Sequence, residues 1–135
     1  MRDVTGDVDH SEDMSGDADV FARNGVPRAT LETVASRWTP LVLLALAERS
    51  RRFGVLRQRV QGVSEKMLSQ SLQSLERAGL VRRQLPAGAR ARVEYALTPL
   101  GSTFANHLRA LADVCESSVA EVTAAREAYA DDLAD

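Results

Sequence analysis

The chain has 135 residues, 44% of them apolar, with a formal net charge of −2 and one cysteine; by size it is one globular domain with length enough for a core. No apolar run approaches the ~20 residues that cross a bilayer. The opening Met1-Arg-Asp-Val-Thr-Gly-Asp7 lacks the apolar stretch of a secretory signal, and a lone Cys115 permits no internal disulfide, so a cytoplasmic protein is expected.

The net charge conceals a partition. Residues 1–19 carry seven acids against Arg2 (−6), residues 20–112 carry fifteen Arg or Lys against five acids (+10), and residues 113–135 carry seven acids against Arg126 (−6). A basic middle suits a polyanionic partner, because each phosphate neutralised by Arg or Lys releases counterions.

Residues 1–19, rich in Asp, Gly and Ser, read as a disordered acidic tail. Asp7-Val-Asp9-His-Ser-Glu12 lacks the glycine and terminal Glu of a calcium loop, so no metal is expected there. A second reading lets this tail fold back on the basic middle as a mimic of DNA.

Pro27 opens a first helix with Leu31, Val34 and Ala35 on its apolar side. Thr39-Pro40 supplies a cap and a first-turn proline for a second, buried helix, Leu41 through Ala47. Phe53, Leu56 and Val60 mark a third helix whose other side carries Arg57 and Arg59, and Gly62 breaks it.

Ser64 caps the next helix, with Glu65 at its positive end. There Leu68, Leu72 and Leu75 line one side while Lys66, Gln70, Gln73 and Arg77 line another, roughly opposite at about 100° per residue. Gly79 is the left-handed stop. Val81–Leu85 and Arg92–Leu97 alternate as two strands, with Val93, Tyr95 and Leu97 facing one way and Pro86-Ala-Gly88-Ala-Arg90 as the turn.

Thr98-Pro99 repeats the cap-plus-proline start. The stripe Leu100, Phe104, Leu108, Leu111, Cys115, Val119 and Val122 then runs up a helix too long for so small a domain to bury. Its far half should pack on a second copy, giving a homodimer interface of Leu108, Leu111, Cys115, Val119 and Val122. A break near Cys115–Ser118, giving a helix pair, stays open. The expected fold is therefore mainly α with a small β-hairpin wing (α+β): a winged helix-turn-helix over residues 20–112 and an acidic dimerisation segment over 113–135.

Such a domain reads double-stranded DNA with the start of its second helix. Lys66, Ser69, Gln70 and Gln73 are the candidates for base edges, since Gln pairs with adenine and Lys reaches guanine acceptors. Ser64, Arg52 and Arg57 are candidates for phosphate, and Arg90 and Arg92 for the minor groove beside the wing. Of the strand neighbours Arg82 and Arg83, at most one can point toward DNA.

Catalysis finds no support. His10 and His107 lack triad or metal partners nearby in sequence, and Gly6, Gly16 and Gly25 are isolated rather than a phosphate cradle, so no cofactor is expected. The rival of another class is a winged-helix module that docks proteins or carries a small molecule without binding DNA; the +10 middle argues against it.

The chain resembles the HxlR family of bacterial winged-helix transcriptional regulators. The resemblance rests on Trp38 ahead of Leu41-Val-Leu-Leu44, Arg52-Phe53 with Leu56, and the Val63-Ser64 turn. It continues through Lys66, Leu68, Leu72, Leu75-Glu76, Gly79-Leu80-Val81, Glu94-Tyr95-Ala-Leu97-Thr98 and Gly101, over roughly residues 34–101. It implies a homodimer on a palindromic operator near a promoter, repressing or activating with context; the MarR-like and PadR-like groups are the nearest alternatives. Many HxlR proteins carry a sensing cysteine shortly before the Trp38 position, but Val20-Phe-Ala-Arg-Asn-Gly-Val26 has none. Cys115, in the apolar stripe, reads as a small buried hydrophobe, so a small-molecule effector at the dimer interface is favoured over a thiol switch.

Overall fold

Residues 18–88 and 92–135 are described by a computed structural model of the chain. Their order is α1 (Val26–Val34), α2 (Thr39–Glu48), α3 (Phe53–Arg59), α4 (Glu65–Arg77), β1 (Val81–Gln84), β2 (Glu94–Leu97), α5 (Pro99–Ser117) and α6 (Val119–Ala134). The expected winged helix-turn-helix is present: α3 and α4 flank a tight turn, and a two-stranded antiparallel hairpin follows. Of the tail 1–19 expected to be disordered, residues 1–17 lie outside the described residues, as does Arg90, whereas Asp19 sits in a turn, its carbonyl accepting from the Ala22 N–H and its carboxylate from the Phe21 N–H.

Helix α2 is the central beam. Val42, Leu43, Ala45 and Leu46 are buried, and they meet Leu56, Val60 and Val63 of the α3 region and Leu68, Leu72 and Leu75 of α4 in one core. Each buried Leu or Val contributes roughly 1.5–3 kcal/mol of transfer free energy. Helix α5 crosses the opposite side of α2, placing Phe104 and Leu108 at the edge of that core.

Pairing in the hairpin runs Val81↔Leu97, Arg82↔Ala96, Arg83↔Tyr95 and Gln84↔Glu94. The strands stop short of the sequence reading: Leu85 and Val93 lie outside them and are exposed, and on β2 it is Ala96 that is fully buried, with Tyr95 and Leu97 half-buried. The cause is a third, one-residue strand. The Arg51 backbone exchanges both hydrogen bonds with Tyr95 (3.1 and 2.8 Å), so β2 is the hairpin's inner strand. The Arg51 side chain is buried in turn, its Nε–H donating to the Ala45 carbonyl at 3.0 Å and its guanidinium paired with Glu48.

Three expectations about the helices need correction, and one alternative left open is decided. Thr39 does not cap α2; its hydroxyl donates to the Thr33 carbonyl at the end of α1 and contacts Ser36, tying the two helices together. Of the apolar side read for α1 only Val34 is buried, and Leu31 is half in solvent because α1 packs on the domain through its last turn. Leu41 and Ala47 of the expected buried helix are exposed, each lining an open gap between α2 and α5. The helix after Thr98 does break, at Ser118, whose hydroxyl donates to the Val114 carbonyl at 2.7 Å. The sequence-based domain boundary at residue 112/113 thus falls inside α5.

Two glycines have physical reasons. Gly79 (φ 79°) ends α4: its N–H and that of Leu80 donate to the Glu76 and Leu75 carbonyls, the paired bonds of a left-handed helix stop. Gly101 lets α5 begin against the strand entry, since a Cβ there would lie 2.0 Å from the Leu80 carbonyl oxygen. Thr98 completes that joint: its side-chain oxygen accepts from the Gly101 N–H, its hydroxyl donates to the Gly79 carbonyl, and its own N–H donates to Leu80.

Candidate nucleic-acid interface

The turn between α3 and α4 fixes how α4 is presented. Gly62 adopts φ 91°, a left-handed conformation costly for other residues, and the Trp38 ring lies against it. The Ser64 side-chain oxygen accepts from the Met67 N–H at 3.1 Å, satisfying one of the orphan donors of the first turn. Arg57 reaches across from α3 and donates to the Val63 carbonyl at 3.4 Å, bracing the turn.

With Leu68, Leu72 and Leu75 at 0–2% exposure anchoring α4, its opposite side is free. Lys66, Gln70, Gln73 and Arg77 are all exposed there. Their spacing of four, three and four residues keeps them within about 40° of one line, a stripe about 16 Å long. Ser69 is half-buried at its flank, and beside it Met67, an apolar side chain that the sequence reading did not single out, is 39% exposed.

Around the stripe the remaining candidates divide. Arg52 is exposed at the start of α3, Ser64 and Arg57 line a notch at the turn, and Arg92 is exposed at the return of the hairpin. Arg59 is the α3 cation that is not free: it donates twice to Glu48, at 2.8 and 2.7 Å. Hydrogen bonding from Arg59, with the charges of Arg59 and Arg51, holds the Glu48 carboxyl at about 2 against the opposing cost of partial burial. Arg83 is likewise held by Glu76 at 3.2 Å, leaving Arg82 as the strand cation without an ion pair among the described residues.

Arg37 was missed in sequence. It stacks on Trp38 at 4.9 Å and, with Gln70 and Ser74, lines a notch between α1 and α4. The signal was its place beside the family's tryptophan, but only the packing of α1 on α4 brings it to the reading helix.

The predicted dimer residues lie along α5 and α6. Leu108 packs on the core, whereas Leu111 (58%), Val119 (60%) and Val122 (44%) are open to solvent. Cys115, expected to be buried, is exposed in the single chain, because α5 has by then run past the flank of α2. A cavity of about 590 Å³ opens there between α2 and α5, walled by Leu41, Leu44, Leu108, Leu111 and Cys115. No group of metal-ligating side chains occurs among the described residues, and no helix there is long and apolar enough to cross a membrane.

Residues 33–123 match the family model described as HxlR-like helix-turn-helix. The chain is 44% identical over 111 residues to the uncharacterised HTH-type transcriptional regulator YtfH of Escherichia coli, covering 82% of this chain and 88% of that one. An uncharacterised HTH-type regulator of Methanothermobacter thermautotrophicus is 32% identical over 80 residues, 59% of this chain and 61% of its own. Among solved structures, that of the transcriptional regulator ytfH from Salmonella typhimurium superposes with a TM-score of 0.72 at 44% identity, over 81% of this chain and 97% of that one.

Proposed function

Since the chain belongs to the HxlR-like helix-turn-helix family, a family of DNA-binding transcriptional regulators and not of enzymes, we propose that it acts in the cytoplasm as a homodimer on a palindromic operator, as a repressor. The observation that carries this reading is the α4 stripe: Lys66, Gln70, Gln73 and Arg77 stand exposed on a helix whose back is locked by three buried leucines. Lys66, Ser69, Gln70 and Gln73 read base edges in the major groove. Arg52, Arg57, Ser64 and the newly found Arg37 meet phosphate, while Arg90 and Arg92 meet the minor groove beside the wing.

Support for the dimer comes from solvent-facing Leu111, Val114, Val119 and Val122, a row of large apolar residues along α5 and α6 that nothing among the described residues covers. A helix pair joined across a two-fold axis also spaces two copies of α4 for two half-sites. The cavity between α2 and α5 is the place for a small-molecule effector, because a ligand wedged there would tilt the reading domain on its dimer helix.

In vitro selection of bound duplexes from a random pool tests the proposal. A palindrome with half-site centres about one or two helical turns apart is expected. Salt-independent retention on heparin, together with no enriched sequence, would replace it by the docking-module reading.

A further inference from the structure

We propose that the acidic segment 1–19 lies across the Lys66–Arg77 face of α4 when no DNA is bound, acting as a built-in competitor that an operator displaces. The inference rests on the DNA-reading role of α4. It begins from a shortage of acids within the reading domain. Of the five in residues 20–112, Glu48 is shared by Arg51 and Arg59, Glu76 takes Arg83 and Glu32 takes Arg28, which leaves only Glu65 and Glu94 without an ion pair among the described residues. The cations at the reading face, namely Arg37, Arg52, Arg57, Lys66, Arg77 and Arg92, form no ion pair among the described residues. A cationic face left open in this way attracts whatever polyanion is tethered nearest.

Two polyanionic segments belong to the chain, each with a charge of −6. The C-terminal one is disfavoured. Asp113 and Glu116 are engaged by Arg109, and the other acids lie along α6, a helix whose packing is against α5 rather than the reading domain, or, for Asp135, at its end. The N-terminal one joins the domain at the right place. It leads into α1, and α1 borders α4 at the notch that Arg37 shares with Gln70 and Ser74. The 17 residues before Ala18 have an extended reach of up to about 56–61 Å, several times the ~16 Å length of the stripe. Tethering places these acids at a local concentration on the order of millimolar, enough to compete with the weak attraction of non-specific duplex. An operator adds base contacts that the tail cannot match, so the tail sharpens discrimination rather than blocking function.

One feature makes the contact directly readable: Lys66 is the only lysine in the chain. A carbodiimide couples a carboxylate to a neighbouring ammonium as an amide, so in the full-length protein it should join Lys66 to an acid of residues 1–19. Peptide mass spectrometry identifies the link. It is expected at low ionic strength, and should fall at least fivefold with operator duplex bound or at ~0.5 M salt, where the screening length is about 4 Å. Lys66 coupled only to acids of residues 20–135, or tail links indifferent to DNA, would overturn the proposal. A matched pair of full-length variants separates contact from bulk charge. One neutralises Asp7, Asp9, Glu12, Asp13 and Asp17; the other neutralises Glu121, Glu127, Asp131, Asp132 and Asp135. The tail variant should bind random duplex at least fivefold tighter at ~50 mM salt, with a steeper salt dependence, and the α6 variant should not. Equal tightening by both would reject the tail contact while leaving DNA reading intact. Absence of duplex binding by every form at every salt would instead remove the DNA reading, whatever Lys66 couples to.

Discussion

Gly101→Ala isolates the joint between wing and dimer helix. An alanine Cβ would stand 2.0 Å from the Leu80 carbonyl oxygen, 2.9 Å from its carbon and 3.3 Å from its Cα. Contacts below 3.0 Å are essentially never tolerated by a Cβ, so α5 and the Leu80 backbone must part by about 1 Å. The obstacle is main chain and cannot rotate away. Forced overpacking alone costs about 1–3 kcal/mol. The same displacement strains the Thr98 N–H to Leu80 carbonyl bond (3.0 Å) and the Thr98 hydroxyl to Gly79 carbonyl bond, each worth about 1 kcal/mol. The sum is about 3–5 kcal/mol, or a melting point lower by roughly 10–20 °C for a chain of this size. Gly54→Ala is the control, since nothing lies within 4 Å of its Cβ and it sits in α3; it should be neutral or slightly stabilising. Thermal melting followed by circular dichroism reads both. A Gly101→Ala protein melting within about 2 °C of the native chain would show that α5 does not approach Leu80 this closely.

Gln70→Ala, at an exposed position, should leave melting unchanged and relax base preference at one operator position by about 1–3 kcal/mol; selection of bound sequences checks it, and a uniform loss over all sequences would move Gln70 to the backbone contacts. Leu111→Glu should convert the proposed dimer to a monomer in analytical ultracentrifugation and weaken operator binding without unfolding the reading domain, because Leu111 is already 58% exposed in the single chain. Glu48 sits at about 2 rather than 4.5 in the folded chain. Its contribution is therefore complete above about pH 4.5 and is lost as pH falls toward 2. Glu48→Gln should remove about 1 kcal/mol at neutral pH, once solvent screening of this half-exposed group is allowed for, and its acid melting curve should converge with that of the native chain near pH 2.

Wherever local chemistry decides, the sequence was readable. Ser64 before an apolar period of three and four, Gly79 after it and Thr98-Pro99 before the last helices each satisfy backbone groups within a few residues, and each functions in place as expected. The α4 stripe was legible for the same reason, since helical angle alone sorts Lys66 and Gln70 away from Leu68 and Leu72. Partners distant along the chain were not. Thr39 looks like a cap and serves as a tie to α1. Arg51 sits unremarked in the run Glu48–Arg52, and only the one-residue strand on Tyr95 selects it for burial while Arg52 stays in solvent. Arg59 and Arg57 share one helix, yet Glu48 claims the first and leaves the second to brace the turn.

The misplaced burial of Leu31, Leu41 and Cys115 carries a further point about function. Periodicity reports that a face is apolar and says nothing about whose atoms cover it. All three lie outside the core formed by α2, α3 and α4, and Leu41 and Cys115 share the cavity at which α5 leaves the domain. A monomeric protein gains nothing from holding such residues on a helix that outruns its core. A protein that must place two reading helices at a set distance gains a rigid strut, since in the proposed dimer the apolar row would hold the partner while Phe104, Leu108 and the Gly101 joint fix the domain. On this reading the interface and the joint answer to different mutations. Leu111→Glu should separate the protomers and leave each domain folded, whereas Gly101→Ala should loosen the domain on its strut and broaden the half-site spacings recovered in selection. If both changes gave the same unfolded chain, strut and domain would be one cooperative unit, and a ligand between α2 and α5 could not tilt one against the other.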